Sequence, residues 1–357
     1  MRGRTLLVQS WGHAMNPGRL LAIVVLAASV GRGLAAEPPL PVATQSLRQA
    51  PGALLAGEVV AVSYSGFRQG QHPDRGDGAV NPSDREVLED LEILVRHDFR
   101  LIRMYDSGDN TRTTLELIRK HDLPMKVLLG IWLDAEISNH EGCPWLKEPI
   151  PAAKLAANAV KNGAEIERGI ELARRYGDIV VAVNVGNEAL VDWSDHMVPL
   201  EKVIAYVRRV KAAVDQPVTV ADNYRWWALH GAPLAAEVDF LGVHTYPVWE
   251  YKPIDEALAY SVENIEAVRA ALPGKPIAVL EAGWPTVASE FGDAASEENQ
   301  ARHVRELRQW AVATNTTVFL FEAFDEPWKG DPDNPLNAEK HWGLFTVDRT
   351  PKLAMKR

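Results

Sequence analysis

Eight apolar runs rich in β-branched residues recur along the chain, most of them separated by stretches with helical periodicity. They begin "EVVAVSYSGF" at Glu58, "FRLIRMYD" at Phe99, "MKVLLGIWL" at Met125 and "IVVAVNVGNE" at Ile179. "PVTVADNY" at Pro217, "VDFLGVHTYP" at Val238, "PIAVLEAGWP" at Pro276 and "TVFLFEAFDEP" at Thr317 complete the set. Strands that are apolar at nearly every position are buried on both faces, as in a parallel sheet. Between them the 3.6-residue period predicts helices over Asp84 to His97, Asn110 to His121 and Ala152 to Tyr176, the last with a break at Gly163. Further helices are predicted over Leu200 to Val214, Ile254 to Leu272 and Glu297 to Ala313, with only a thin signal from Trp226 to Ala236.

A strand followed by a helix, repeated about eight times, predicts a single-domain (β/α)8 barrel of the TIM type over residues 58–357. A doubly wound open sheet is the alternative. It usually carries a Gly-rich first turn, and no Gly-x-Gly-x-x-Gly occurs here. Residues 37–57, with Pro38, Pro39, Pro41 and Pro51, read as an extended N-terminal arm. Ahead of them Arg19, an apolar run from Leu20 to Val30 and the small residues Ala35 and Ala36 have the layout of a secretory signal peptide over residues 1–36, with Met15 the better-placed start. Export to the periplasm or the extracellular space follows, with no membrane span in the mature chain, because that run is too short to span a bilayer comfortably.

Composition narrows the chemistry. The chain has 357 residues, 46% hydrophobic and 24% charged, enough apolar residue for a large core. Its net charge is −10, and since residues 1–36 hold four Arg and no acid or Lys, the remainder carries −14. Such a surface argues against nucleic acid as a partner and suits a neutral or cationic substrate. Cys143 is the only cysteine, so no intrachain disulfide can form. No Cys or His cluster has metal-ligand spacing in the sequence, and no cofactor is expected. The segment "GFRQGQHPDRGDG" carries Asp74 and Asp77, which would repel phosphate, and reads as a loop.

In a barrel of this kind the active site lies at the C-terminal strand ends. Those ends bring Ser63 and Tyr64, then Arg103, Tyr105 and Asp106, then Trp132 and Asp134, then Asn187 and Glu188. The later strands bring Asp222, Asn223 and Tyr224; His244 and Tyr246; Glu281 and Trp284; and Glu322, Phe324, Asp325 and Glu326. Glu188 and Glu281 would face each other across the rim. Cleavage of a glycosidic bond uses such a pair, one protonating the leaving oxygen and the other attacking the anomeric carbon in retaining enzymes, at roughly 5 Å separation. Arg103 and Tyr246 could hold the attacking carboxylate ionised. The alternative, that both are rim ion pairs, is weakened by two carboxylates each ending a buried strand. Of 11 tryptophans, Trp132, Trp226, Trp227, Trp249, Trp284 and Trp328 lie at or just past strand ends, where indole faces can stack on sugar rings.

"VNVGNEAL", "LEAGWPT", "VHTYPVW" and "FEAFDEPWKG…AEKHWGLF" together resemble glycoside hydrolase family 17, nearest its bacterial and fungal β-1,3-glucan hydrolases and glucanosyltransferases. The resemblance covers Glu58 to Lys352. It implies a (β/α)8 barrel, retaining cleavage of β-1,3-glucan, Glu188 as acid/base and Glu281 as nucleophile. It also places Asn187 at the sugar 2-hydroxyl, Tyr246 beside the nucleophile, and Glu326, Lys329 and Glu339 in a charged cluster. Substrate contacts are expected from Tyr64, Arg103, Tyr105, Asn187, Asp222, Tyr224, His244, Tyr246, Trp284, Glu322, Phe324 and Glu326. Transfer, alone or mixed with hydrolysis, is slightly favoured by the aromatic candidates Trp226, Trp227 and Trp249, and a monomer is expected. The rival classes are a purely hydrolytic β-1,3-glucanase, a catalytically silent glucan-binding barrel, and a phosphosugar barrel, the last lacking a Gly-rich phosphate turn.

Overall fold

The computed structural model describes Leu54 and residues 56–356 apart from 75 and 77; the predicted signal peptide and most of the predicted arm lie outside the described residues. Eight parallel strands close into a barrel in sequence order, with β8 paired to β1. They are β1 Ala61–Ser63, β2 Leu101–Arg103, β3 Lys126–Ile131, β4 Val180–Asn187, β5 Val218–Asn223, β6 Leu241–His244, β7 Ile277–Gly283 and β8 Val318–Phe321. The helices are α1 Asp84–Arg96, α2 Asp109–Lys120, α3 Ala152–Arg175, α4 Leu200–Ala213, α5 Tyr224–His230, α6 Ala232–Ala235, α7 Ile254–Ala271 and α8 Glu297–Thr314. The weak signal after β5 corresponds to two short helices, and β8 is followed by single 3-10 turns rather than a helix. Helix α3 runs unbroken through Gly163, since one glycine costs only about 1 kcal/mol against alanine in a long packed helix. Ser83 and Glu86 form a capping box that starts α1.

The closed sheet sorts its residues into two apolar groups. Val62, Ile102, Val127, Leu129, Val220 and Val243 belong to the shell packed under the helices. Leu101, Leu128, Ala182, Phe240, Leu280 and Phe319 fill the barrel interior, with Leu54 of the arm packed among them. Because side chains alternate along a strand, the position two residues beyond an interior one also points inward. Above Ala61, Leu101 and Gly242 those positions are Ser63, Arg103 and His244, all fully buried. An apolar plug at the bottom of the barrel therefore gives way to polar groups one pleat higher.

Two strands break that alternation. The register of β4 against β5 shifts between Asn184 and Asn187, and that of β7 against β8 shifts between Val279 and Ala282. Leu280 packs in the interior while Ala282 packs in the outer shell, and Glu281 between them also reaches the inward groups. Such irregularities bend a strand and re-aim a side chain.

One buried group makes stability depend on pH. His303 of α8 is fully buried against Trp284, and neither ring nitrogen has a hydrogen-bond partner among the described residues. Burial alone pushes its imidazole down to about 4. The unfolded chain takes up this proton near the ordinary value and the folded chain does not. Stability is therefore undiminished above about pH 6.5 and falls by about 3 kcal/mol as the pH drops to about 4. Urea unfolding across this range should show a shallower acid loss in His303→Leu; equal slopes in the two proteins would count against the assignment.

Candidate active site

Glu281 ends β7 with a side chain 7% exposed and four partners. Arg103 Nη1 donates to its Oε1 at 2.6 Å and Tyr105 Oη to the same oxygen at 2.9 Å. Tyr246 Oη donates to Oε2 at 2.5 Å, and His244 Nδ1 lies 3.5 Å from that oxygen. Burial by itself raises this carboxyl, but the charge His244 can carry, the Arg103 guanidinium and the two phenols outweigh it and hold Glu281 below its ordinary value. Both phenols are pushed well up, by burial first and by the Glu281 charge next, so they remain donors. Arg103 also donates through Nη2 to Asn187 Oδ1, which ties the ends of β2, β4 and β7 together.

Glu188 sits just past β4 in a different setting. Its side chain is 26% exposed, and His244 Nδ1 contacts its Oε1 at 2.9 Å. Its backbone takes the left-handed region, φ 46°, directly after Gly186 at φ 83° and Asn187. Glycine enters that region freely, whereas for a glutamate it costs about 1–3 kcal/mol and persists only where neighbours hold it. Here the Glu188 N–H donates to Ala221 O at 2.9 Å, and buried Asp222 accepts from Leu190 N at 3.1 Å. Burial, then the neighbouring Glu188, push Asp222 well above its ordinary value.

One oxygen from each of the two carboxylates and a ring nitrogen of His244 all lie within 4.8 Å of one another. Three such ligands could in principle surround a metal ion. Arg103 Nη1, 2.6 Å from Glu281 and 3.3 Å from His244 Nε2, already provides the positive charge there and would repel a cation. Beyond β8, Lys329 pairs with Glu326 at 2.8 Å and with Glu322. Burial opposes the charge on Lys329, but the two carboxylates outweigh it and hold the ammonium above its ordinary value. Burial pushes Glu322 well up despite Lys329. Glu339 is pushed up to about 7 by burial, opposed by Lys329 and reinforced by Glu281 and Glu188.

Residues 61–343 match the BtgE/BtgC glycoside hydrolase domain family. The chain belongs to this glycoside hydrolase family. The resemblance to glycoside hydrolase family 17 read from its motifs holds as well. A glucan 1,3-beta-glucosidase of Arthroderma benhamiae is 28% identical over 309 residues, 82% of this chain and 91% of the relative. One of Schizosaccharomyces pombe is 30% identical over 77% of this chain and 82% of the relative. A putative glucan endo-1,3-beta-glucosidase of Aspergillus niger is 27% identical, and there the match spans only 40% of the relative's length. Among solved structures, an endo-laminarinase from Formosa superposes with a TM-score of 0.73 at 27% identity, covering 84% of this chain and 87% of that one. The glycoside hydrolase family 17 β-1,3-glucanosyltransferase of Rhizomucor miehei shares the fold, with a TM-score of 0.65 at 21% identity, covering 84% and 98%.

The structure of this glycoside hydrolase redistributes the sequence-derived site residues. Arg103, Tyr105, Asn187, Glu188, His244, Tyr246 and Glu281 form one hydrogen-bonded cluster. Trp284 is a correction: it is fully buried, its Nε1 donates to Ala294 O at 2.8 Å, and no face is left for a sugar. Trp227 is likewise buried and bonded to Gly242 O. Tyr64 and Phe324 are also corrected, since they pack edge to face behind the rim and Tyr64 Oη reaches buried Asp90 at 3.4 Å. Asp222 anchors the backbone after Glu188 rather than reaching a ligand. Tyr224 hydrogen-bonds Glu250 and Tyr260. Glu326, 1% exposed, is engaged by Ser65 and Lys329, and Glu322, 2% exposed, is held by Lys329. His244 is enclosed too, so it contacts the carboxylates and not solvent.

Sequence reasoning missed His196. Its Nε2 contacts Asn187 O at 2.7 Å, its Nδ1 contacts Asp195 at 2.7 Å, and Trp132 lies against its ring at 4.5 Å. Nothing in the spacing of the motif marks it, because the contact forms when the loop after β4 folds back. The two kinds of strand-end indole separate by experiment. Trp284→Ala should lose about 3–5 kcal/mol of stability in urea unfolding, and Trp249→Ala, 39% exposed in the native protein, about 1 kcal/mol or less.

Proposed function

We propose that the protein is a retaining β-1,3-glucan-cleaving enzyme with Glu281 as nucleophile and Glu188 as acid/base, able to pass the cleaved glucosyl chain to water or to a sugar hydroxyl. The observation that carries this reading is the unlike setting of two carboxylates whose oxygens lie within 4.8 Å. A retaining enzyme needs roughly 5–5.5 Å between the groups, whereas an inverting one needs at least about 6.5 Å to admit water. Glu281 is clamped as an anion by one guanidinium and two phenols. Glu188 is partly open to solvent.

In the first step Glu281 forms a bond to the anomeric carbon while the glycosidic C–O bond breaks and Glu188 gives its proton to the departing oxygen. In the second, Glu188 takes a proton from water or an acceptor hydroxyl as that oxygen replaces Glu281. In this reading Asn187, which the family resemblance puts at the sugar hydroxyl next to the reacting carbon, is held by Arg103. The exposed aromatics Trp249 and Tyr251 favour extended glucan and a sugar acceptor, with buried Trp342 bracing them from behind. Tyr246, hydrogen-bonded to the nucleophile, adjoins Trp342 at 5.2 Å. Trp342 adjoins Trp249 at 6.4 Å, and exposed Trp249 and Tyr251 flank Phe291. The N-terminal 36 residues suit an exported enzyme that acts on glucan outside the cytoplasm. Among the described residues no helix is long and apolar enough to cross a membrane.

Incubation with defined β-1,3-gluco-oligosaccharides and mass analysis should give products both shorter and longer than the substrate. Exclusively shorter ones would reject transfer, and no change with any β-glucan would favour a binding protein. Proton NMR of the first products should show the β anomer; an initial α anomer would sink the retaining mechanism. Glu281→Gln should lower kcat by about 10³-fold or more while oligosaccharide binding persists in calorimetry.

A further inference from the structure

We infer that His244 is a positioning residue whose ring proton is held on Nδ1 by Arg103, and that this fixed donor decides which oxygen of Glu188 carries the catalytic proton. The inference rests on the role proposed for Glu188. The imidazole is fully buried at the end of β6, so neither water nor substrate sets its tautomer. Its Nε2 faces Arg103 Nη1 at 3.3 Å. The two hydrogens of Nη1 also serve Glu281 Oε1 at 2.6 Å and Leu280 O at 3.2 Å, so the contact to Nε2 shares one of them. A guanidinium has N–H donors only, so a lone pair on Nε2, with the ring proton on Nδ1, is the arrangement that suits it. That nitrogen lies 2.9 Å from Glu188 Oε1 and 3.5 Å from Glu281 Oε2, so its N–H serves Glu188 first.

The groups around the ring act in opposing directions. Glu188 approaches from the β4 end with buried Asp222 beside it, Glu281 from β7, and Arg103 from β2 with Tyr105 beside it. Tyr246 follows β6, and the Lys329 cluster with Glu322 and Glu339 lies beyond β8. The carboxylates favour an imidazolium, but a second proton on Nε2 would point at the guanidinium.

The consequence concerns proton placement. With Oε1 of Glu188 accepting from Nδ1, a proton on the neutral acid goes to the other oxygen, the one free to meet the leaving group. When that proton has passed to the glycosidic oxygen, the same N–H stabilises the carboxylate that must next act as base. His244 thus supports both half-reactions without exchanging a proton itself.

Nitrogen-15 NMR of the full chain, with the His244 signals identified by their loss in His244→Asn, should show a protonated Nδ1 and a bare Nε2. A protonated Nε2 would overturn the inference whatever the enzyme's activity. Kinetics on a laminari-oligosaccharide supply a second readout. His244→Ala should lower kcat about 10–100-fold with KM changed less than about threefold. His244→Asn, whose amide can take the place of Nδ1, should restore most of the lost kcat. An unchanged kcat in His244→Ala, beside an inactive Glu188→Gln, would refute the inference and leave the proposed function standing. Full turnover in Glu188→Gln would instead remove the proposed function beneath it.

Discussion

The contact between Arg103 and Glu281 organises the rim of the barrel. Both side chains are withdrawn from water, with 2.6 Å between nitrogen and oxygen. Removing two charges from water costs several kcal/mol each, so a pair in such a place persists only when nearly every remaining donor and acceptor is matched. Here the matching is dense. Arg103 also donates to Leu280 O, contacts His244 and donates to Asn187, and Glu281 takes two phenol protons. Four strands, β2, β4, β6 and β7, are locked to one another by groups that would each be costly to bury alone.

That arrangement gives a physical account of the asymmetry between the two carboxylates. Glu281 is surrounded by donors and held ionised, which suits attack on carbon. Glu188 lies closer to solvent on a left-handed backbone, held by its amide bond to Ala221 and by its contact with His244. Two identical side chains less than 5 Å apart thereby acquire different chemistry from their surroundings alone. The apolar strands beneath them act as aiming devices. Packing of Leu101, Leu280 and Phe319 with the Leu54 plug leaves the strand ends little freedom.

The legibility of the site followed the same division. The barrel was readable because parallel strands buried on both faces leave near-continuous apolar runs, and helices between them leave a 3.6-residue period. The meeting of Glu188, Glu281, Arg103 and Tyr246 was readable because a polar group at a strand end stands out against an apolar run. The tryptophans were not. Trp249 and Trp284 occupy equivalent places just past their strands, yet one is exposed and the other is sealed under Ala294 and His303. Tyr64, Asp222 and Phe324 mislead in the same way: a polar or aromatic residue past a strand can turn toward the rim or behind it, and the loop's path decides which.

By itself, then, the sequence determined the closed α/β architecture, the strand ends that bear the chemistry, and the family motifs, since each depends on local pattern and period. Only the tertiary structure decided how those ends are aimed. Register shifts near the ends of β4 and β7 bring Asn187, Glu188 and Glu281 to the same inward cluster as Arg103 and His244. Neither shift leaves a mark in a period-two pattern, because a strand's register is set by hydrogen bonds to its neighbours rather than by its own residues. The approach of Arg103 to His244 belongs to the same category, made between residues 141 positions apart in the chain.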